Sequence, residues 1–203
     1  MCLKGFIKGM IIMRLSTVLL LCFFLVTSSS FAEKGRKISL AALSQVGKTL
    51  SYDPAYVSLA YPMGDLPIER GVCTDVVIRS LRKVGLDLQQ LVHEDMKRSF
   101  NKYPKNWGLR STDRNIDHRR VPNLQCFFKR KGWSLVISQK AEAYKSGDIV
   151  TWKFSNGLDH TGVVFLRRVK GKKRPMIIHN VGSGAQLEDC LFSWKITGHY
   201  RVK

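Results

Sequence analysis

The apolar periodicity of the chain changes at Gly132, and that change limits the fold more than any other feature. Before it, apolar residues recur at helical spacing; after it they come in short β-rich runs. Helices are expected from about Ile38 to Leu50, from Cys73 to Val84, and from a capping pair at Asp87 and Gln90 through about Phe100. A shorter one opens on Pro122 and contains Leu124, Phe127 and Phe128. In the second helix Val77, Leu81 and Val84 share a face, Asp75 sits in the first turn where the helix dipole favours an anion, and Gly85 supplies the stop. Strands are expected over Trp133 to Ser138, Asp148 to Phe154, His160 to Leu166, Met176 to Asn180 and Gly198 to Val202. Asn156-Gly157 is a hairpin turn signal, and Arg167 to Pro175 reads as a basic hairpin loop. Helices first and antiparallel strands after give an α+β fold, with N-terminal helices packed on an antiparallel sheet. No repeat or linker divides the 203 residues, a length that supplies one core.

The first residues read as a secretory signal. Lys4, Lys8 and Arg14 form a basic start, Leu15 to Val26 an apolar stretch shorter than the roughly 20 residues that cross a bilayer, and Ser30-Phe31-Ala32 a small-residue cleavage site. Residues 1–32 are therefore expected to be removed, leaving a domain over 33–203 in the periplasm or outside the cell. No later stretch is long and apolar enough to span a membrane.

The formal net charge is +19, and loss of residues 1–32 would leave +16. A partner with negative charge is expected. The basic residues are scattered and carry no nucleic-acid-binding motif, so for an exported chain peptidoglycan or another anionic envelope polymer fits better. Residues 33–203 hold three cysteines, Cys73, Cys126 and Cys190, so in an oxidising compartment at least one stays free or pairs between chains. Cys126 and Cys190 read as structural, with a mutual disulfide left open.

Cys73 opens a helix, where the dipole and unpaired amide donors favour thiolate over thiol and prime a nucleophile. Such a thiol needs a base, and His160 at the start of one strand, oriented by His179 or Asn180 on the next, meets that need. Between the helices, the irregular segment Tyr103 to Val121 carries His118-Arg119-Arg120. These residues can bind carboxylates of an acidic peptide or pair with Asp113 and Asp117. His93-Glu94-Asp95 lacks a second histidine at helical spacing and no other pair has zinc-ligand spacing, so neither metal nor cofactor is expected.

The order Gly71-Val72-Cys73-Thr74-Asp75, Ser146-Gly147-Asp148-Ile149-Val150-Thr151-Trp152, Asp159-His160-Thr161-Gly162-Val163-Val164 and Ile177-Ile178-His179-Asn180 resembles the NlpC-type peptidases of the papain-like superfamily. Tyr52 to Tyr56, Gly71 to Arg79, Leu91 to Met96, Asn115 to Leu124 and Ile196 to Tyr200 resemble a bacterial family of exported proteins of unassigned activity. The first resemblance implies a papain-like fold and an amidase or endopeptidase that cuts peptidoglycan stem peptides through a thioester, with the catalytic roles on Cys73, His160 and His179. The NlpC relatives commonly carry Asp-Cys-Ser-Gly where this chain has Val72-Cys73-Thr74-Asp75. Two further readings share the fold: an acyl or peptidyl transferase, and a non-catalytic basic module that binds the wall.

Overall fold

Trp152, Tyr200, Phe127 and Phe128 are all fully buried, yet the first pair come from the β-rich half and the second from the helical half. Tyr200 meets Phe127 and Phe128 because helices cover one face of a sheet, while Trp152 is buried on the other face. The computed structural model describes residues 31–169 and 172–203, so residues 1–30 of the expected leader lie outside it. Residues 34–203 form one compact unit.

Four α-helices are described. The first, α1, is helical through residue 43 and is followed by turns, so it ends before Leu50. Next come α2 (Cys73–Arg82), α3 (Leu88–Ser99) and α4 (Val121–Arg130). Two short strands, β1 (Ser51–Tyr52) and β2 (Arg70–Gly71), pair in parallel just before α2. The other strands are β3 (Ile149–Lys153), β4 (Asp159–Val169), β5 (Lys172–Asn180), β6 (Ala185–Glu188) and β7 (Lys195–Tyr200). They form one antiparallel sheet in the order β6-β5-β4-β3-β7. The architecture is α+β. None of the described helices is long and apolar enough to cross a membrane.

Alternation along the strands sends Ile149, Val163 and Ile178 to one face. There they pack with Val76, Val77 and Leu81 of α2, Val92 and Met96 of α3, and Phe127 and Phe128 of α4. Each such fully buried side chain contributes about 1.5–3 kcal/mol relative to exposure. The opposite face carries Val150, Trp152, Val164 and Ile177 under Tyr144, Cys190 and Leu191. Both faces of the central strands are therefore covered, and α2 packs directly on β4 and β5. Gly162 permits the close approach of those strands, since a Cβ there would lie 2.7 Å from Ile177 Cγ2 and 2.9 Å from the Ile178 carbonyl.

Several expectations change. Trp133 to Ser138 forms only the isolated bridge Ser134↔Tyr200, with Val136 and Ile137 exposed. The basic segment Arg167 to Pro175 is largely strand, with Arg167 paired to Arg174 and Leu166 to Pro175. Strand β6 was not foreseen, because its four residues, Ala-Gln-Leu-Glu, are too few and too polar to register as a strand. At α3, Asp87 caps by accepting from the Gln89 amide, while Gln90 instead bonds Glu94.

Candidate active site

Cys73 is the first residue of α2 and only 4% exposed. Burial pushes its thiol up to about 12, while the amides of Thr161, Thr74 and Cys73 itself pull in the opposite direction by pointing at Sγ. The dipole argument from sequence therefore loses to desolvation, and the resting sulfur is a thiol. The Thr161 amide is free for this contact for a topological reason. The Val164 amide donates to the Asp148 carbonyl, on the β3 side, so odd-numbered residues of β4 turn their N–H toward β5. The β4–β5 register begins only at Val163↔Ile178, and Sγ takes the place at Thr161 that a β5 carbonyl would hold.

The helix start is held by charge. Asp75 accepts from the Val72 amide at 2.7 Å and from Arg119 at 3.1 Å through both oxygens. Arg119 also donates to the carbonyls of Asp53 and Ala55, which ties the segment after β1 to the same point. Asn180 adds a third tie, donating to the Gly71 and Ser51 carbonyls. Above Cys73 opens a cleft of about 360 Å³, lined among others by Tyr52, Trp107, Arg120, Leu158 and Asp159. The Tyr52 hydroxyl is pushed up to about 12, first by burial and then by the nearby Cys73 and Asp75.

One residue before Thr161, His160 enters the opposite face of the sheet beside Trp152, its register partner. Its ring stacks on Phe154 at 4.9 Å and lies 5.8 Å from Trp194. Its Nε2 is 2.8 Å from His179 Nδ1, and His179 Nε2 is 2.7 Å from Glu188 Oε2. Burial, then the neighbouring His179, push His160 down to about 3; burial also lowers His179, against the pull of Glu188. Both rings are neutral at pH 7. A carboxylate only accepts, so His179 carries its proton on Nε2, His179 Nδ1 accepts the Nε2 proton of His160, and the His160 lone pair is left on Nδ1.

The structure thus joins His160 to His179 and sets Cys73 against the residue following His160, with no hydrogen bond between Cys73 and His160. Between the two candidates for the orienting group, His179 makes the contact and Asn180 faces the other way. The carboxylate-binding trio separates. His118 is 2% exposed with Nδ1 buried and unpartnered, and burial drives it down to about 3. Arg119 is committed to Asp75 and two carbonyls, as above. Arg120 also lines the cleft, stacked 4.4 Å over the Trp107 ring. Short polar loops next to a helix start need internal ties more than ligand contacts, and Arg119 supplies them.

Sequence reasoning missed Glu188, Tyr52 and the Thr161 amide. Glu188 becomes visible only once β6 is paired to β5, where it sits diagonal to His179. Cys126, Cys190 and Cys73 are all free, and the Cys126 thiol contacts the Lys102 carbonyl at 3.3 Å, so no Cys126–Cys190 disulfide forms. Cys190 Sγ instead lies 3.5 Å from His179 Nε2. His179, Glu188 and Cys190 bring one ligand atom each within 4.8 Å of one another, a convergence that linear spacing did not reveal.

Comparison with known proteins shows what the chain is similar to. Uncharacterized protein YijF of Escherichia coli (strain K12) is 54% identical over 167 residues, 81% of this chain and 80% of that protein. The crystal structure of an N-acetylmuramoyl-L-alanine amidase from Bacteroides uniformis ATCC 8492 is similar over 84% of this chain and 100% of its own, with a TM-score of 0.48 at 14% identity. The model of the family described as a domain of unknown function, DUF1287, matches residues 39–202, and the chain belongs to that family.

Proposed function

We propose that this chain is an exported cysteine hydrolase of papain-like, NlpC type, an amidase or endopeptidase acting on cell-wall peptides through a thioester. The observation that carries the reading is the tautomer order His160–His179–Glu188, which leaves a lone pair on His160 Nδ1, while the amide of the next residue, Thr161, points at the cysteine that opens a helix. Export rests on the sequence of the first 32 residues and the substrate class on the NlpC resemblance together with the basic charge.

In this reading a substrate amide enters the cleft with its carbonyl carbon at Sγ. His160 Nδ1 takes the thiol proton as sulfur attacks, which a thiol pushed up to about 12 by burial requires. The amides that point at Sγ, together with the Tyr52 hydroxyl, stabilise the tetrahedral oxyanion. His160 then gives the proton to the departing amine and the thioester remains. Water, deprotonated by His160, attacks the thioester, releasing the carboxylic acid and restoring the thiol. His179 holds the His160 ring throughout, and Glu188 holds His179.

The test is a digest of purified peptidoglycan by the protein, with parallel labelling by iodoacetamide and mass spectrometry of the labelled peptide. New muropeptides that disappear in Cys73→Ala, with labelling of Cys73 that slows about 10²–10⁴-fold in His160→Ala, are expected. Wall binding with neither products nor labelling would instead establish a non-catalytic module, and products that join an added amine would establish a transferase.

A further inference from the structure

We propose that His179 Nε2, Glu188 Oε2 and Cys190 Sγ form a binding site for a zinc-class divalent cation, and that occupancy silences the His160 base. The site stands on its own geometry; its effect on His160 rests on the hydrolase reading above.

An imidazole nitrogen, a carboxylate oxygen and a thiolate sulfur are the donor set that suits zinc or cobalt. Bonds of about 2.0–2.3 Å in tetrahedral arrangement put nitrogen and sulfur about 3.5 Å apart, and nitrogen and oxygen about 3.4 Å apart. The nitrogen–sulfur separation is already 3.5 Å, and the nitrogen–oxygen separation of 2.7 Å has only to widen. Glu188 can make that move, since its side chain is 48% exposed on the edge strand β6. His179 and Cys190 are buried and hold the other two donors in place. The exposed side at Glu188 leaves a fourth position to water. The other nitrogen of the ligand ring is hydrogen-bonded as well, which is the usual support for a metal-bound imidazole.

Occupancy reverses the relay. A metal on His179 Nε2 displaces that proton to water. The ring then takes the His160 Nε2 proton across the 2.8 Å bond onto Nδ1. His160 in turn acquires a proton from solvent at its own Nδ1. Cys190 gives up its thiol proton to become the thiolate ligand, so one proton is released in total. His160 then has no lone pair on the nitrogen that would receive the Cys73 proton.

Cobalt(II) titrated into the purified, metal-free protein reads the site without reference to activity. A thiolate-to-cobalt charge-transfer band is expected, retained in Cys73→Ser and Cys126→Ser and lost in Cys190→Ser. No band, or a band lost with Cys73 and kept without Cys190, overturns the site. In the same protein, saturating zinc is expected to slow labelling of Cys73 at least tenfold, and the zinc response is expected to vanish in Cys190→Ser. A cobalt band with zinc-insensitive labelling overturns the silencing. A cobalt band in a protein whose metal-free form neither labels nor hydrolyses would instead count against the hydrolase reading and leave the metal site standing.

Discussion

Two histidine–carboxylate pairs of equal length occupy this molecule, and they do different things. His199 Nε2 meets Asp148 Oδ2, and His179 Nε2 meets Glu188 Oε2, both at 2.7 Å. Asp148 is also clamped by Arg201 and accepts from the Lys145 amide, while the His199 ring stacks 4.2 Å from Tyr144 with its Nδ1 buried and unpartnered. Nothing continues from that ring. From His179 the chain of bonds continues to His160, and its carboxylate end opens to solvent. What separates the structural pair from the one proposed to work in catalysis is therefore the partner of the second ring nitrogen and the exposure of the acid.

The sharpest way to break the comparison is to remove each acid in turn. Asp148→Ala leaves Arg201 without its counter-ion and the buried His199 ring without its hydrogen-bond partner, and loss of one partner of a buried pair costs about 3–5 kcal/mol. Chemical denaturation should show that loss. Glu188→Ala removes a half-exposed carboxylate, so its effect on stability should stay below about 1 kcal/mol. Its effect belongs in the rate: kcat falls about 10–100-fold at constant KM because His179 is no longer held in one tautomer. A stability loss at Glu188 matching that at Asp148 would make both pairs structural.

The neutral state of the relay can be tested by acid. His160 and His118 are both pushed down to about 3 by burial, against an unfolded value of 6.5. Below pH 6.5 the unfolded chain binds protons that the folded chain does not, so stability is lost as pH falls, by up to about 1.4 kcal/mol per pH unit for each ring. Asp117, raised by burial to about 6, opposes this between its folded value and the unfolded value of 3.8, where the folded chain binds the extra proton. Unfolding free energies measured across that range should begin to fall near pH 6.5 and keep falling toward pH 4, with a slope reduced by Asp117 between about pH 6 and 3.8. A flat profile would mean that the rings are charged in the fold, and the tautomer order would go with it.

Strands β3, β4, β5 and β7 and the helix that starts at Cys73 were legible because burial on both faces leaves apolar runs, and because Gly85 and Pro122 punctuate the helices. His160 and His179 could be paired in advance because they sit on consecutive strands of one hairpin. Glu188 could not, because its neighbourhood depends on the register of a four-residue strand that carries no periodic signal. The state of Cys73 was misjudged for a different reason. A helix start is visible in sequence, whereas the desolvation that outweighs it depends on the depth of burial, which only the packed structure fixes.

The same discriminator sorts the neighbouring arginines, and there the expected effect is smallest. Arg119 is consumed by Asp75 and two backbone carbonyls, so it is a clamp on the Cys73 segment despite its place in a basic run. Arg120 has a distant ion pair to Asp117 at 3.8 Å and otherwise rests on Trp107, a residue 56% exposed beside the cleft whose backbone sits in the left-handed region at φ 67°. A non-glycine residue held there is strained, which suits a side chain kept for contact with a ligand. Stacking of this kind contributes about 0.5–1 kcal/mol at exposed positions, so Arg120→Ala should raise KM for wall peptide about two- to fivefold and leave kcat unchanged. Trp107→Ala should do the same, and the double variant should show less than the product of the two effects, since each residue supports the other. Independent, multiplicative effects would mean that the two side chains act separately, and a loss of kcat would move Arg120 from substrate binding into the hold on Cys73 that Arg119 already provides.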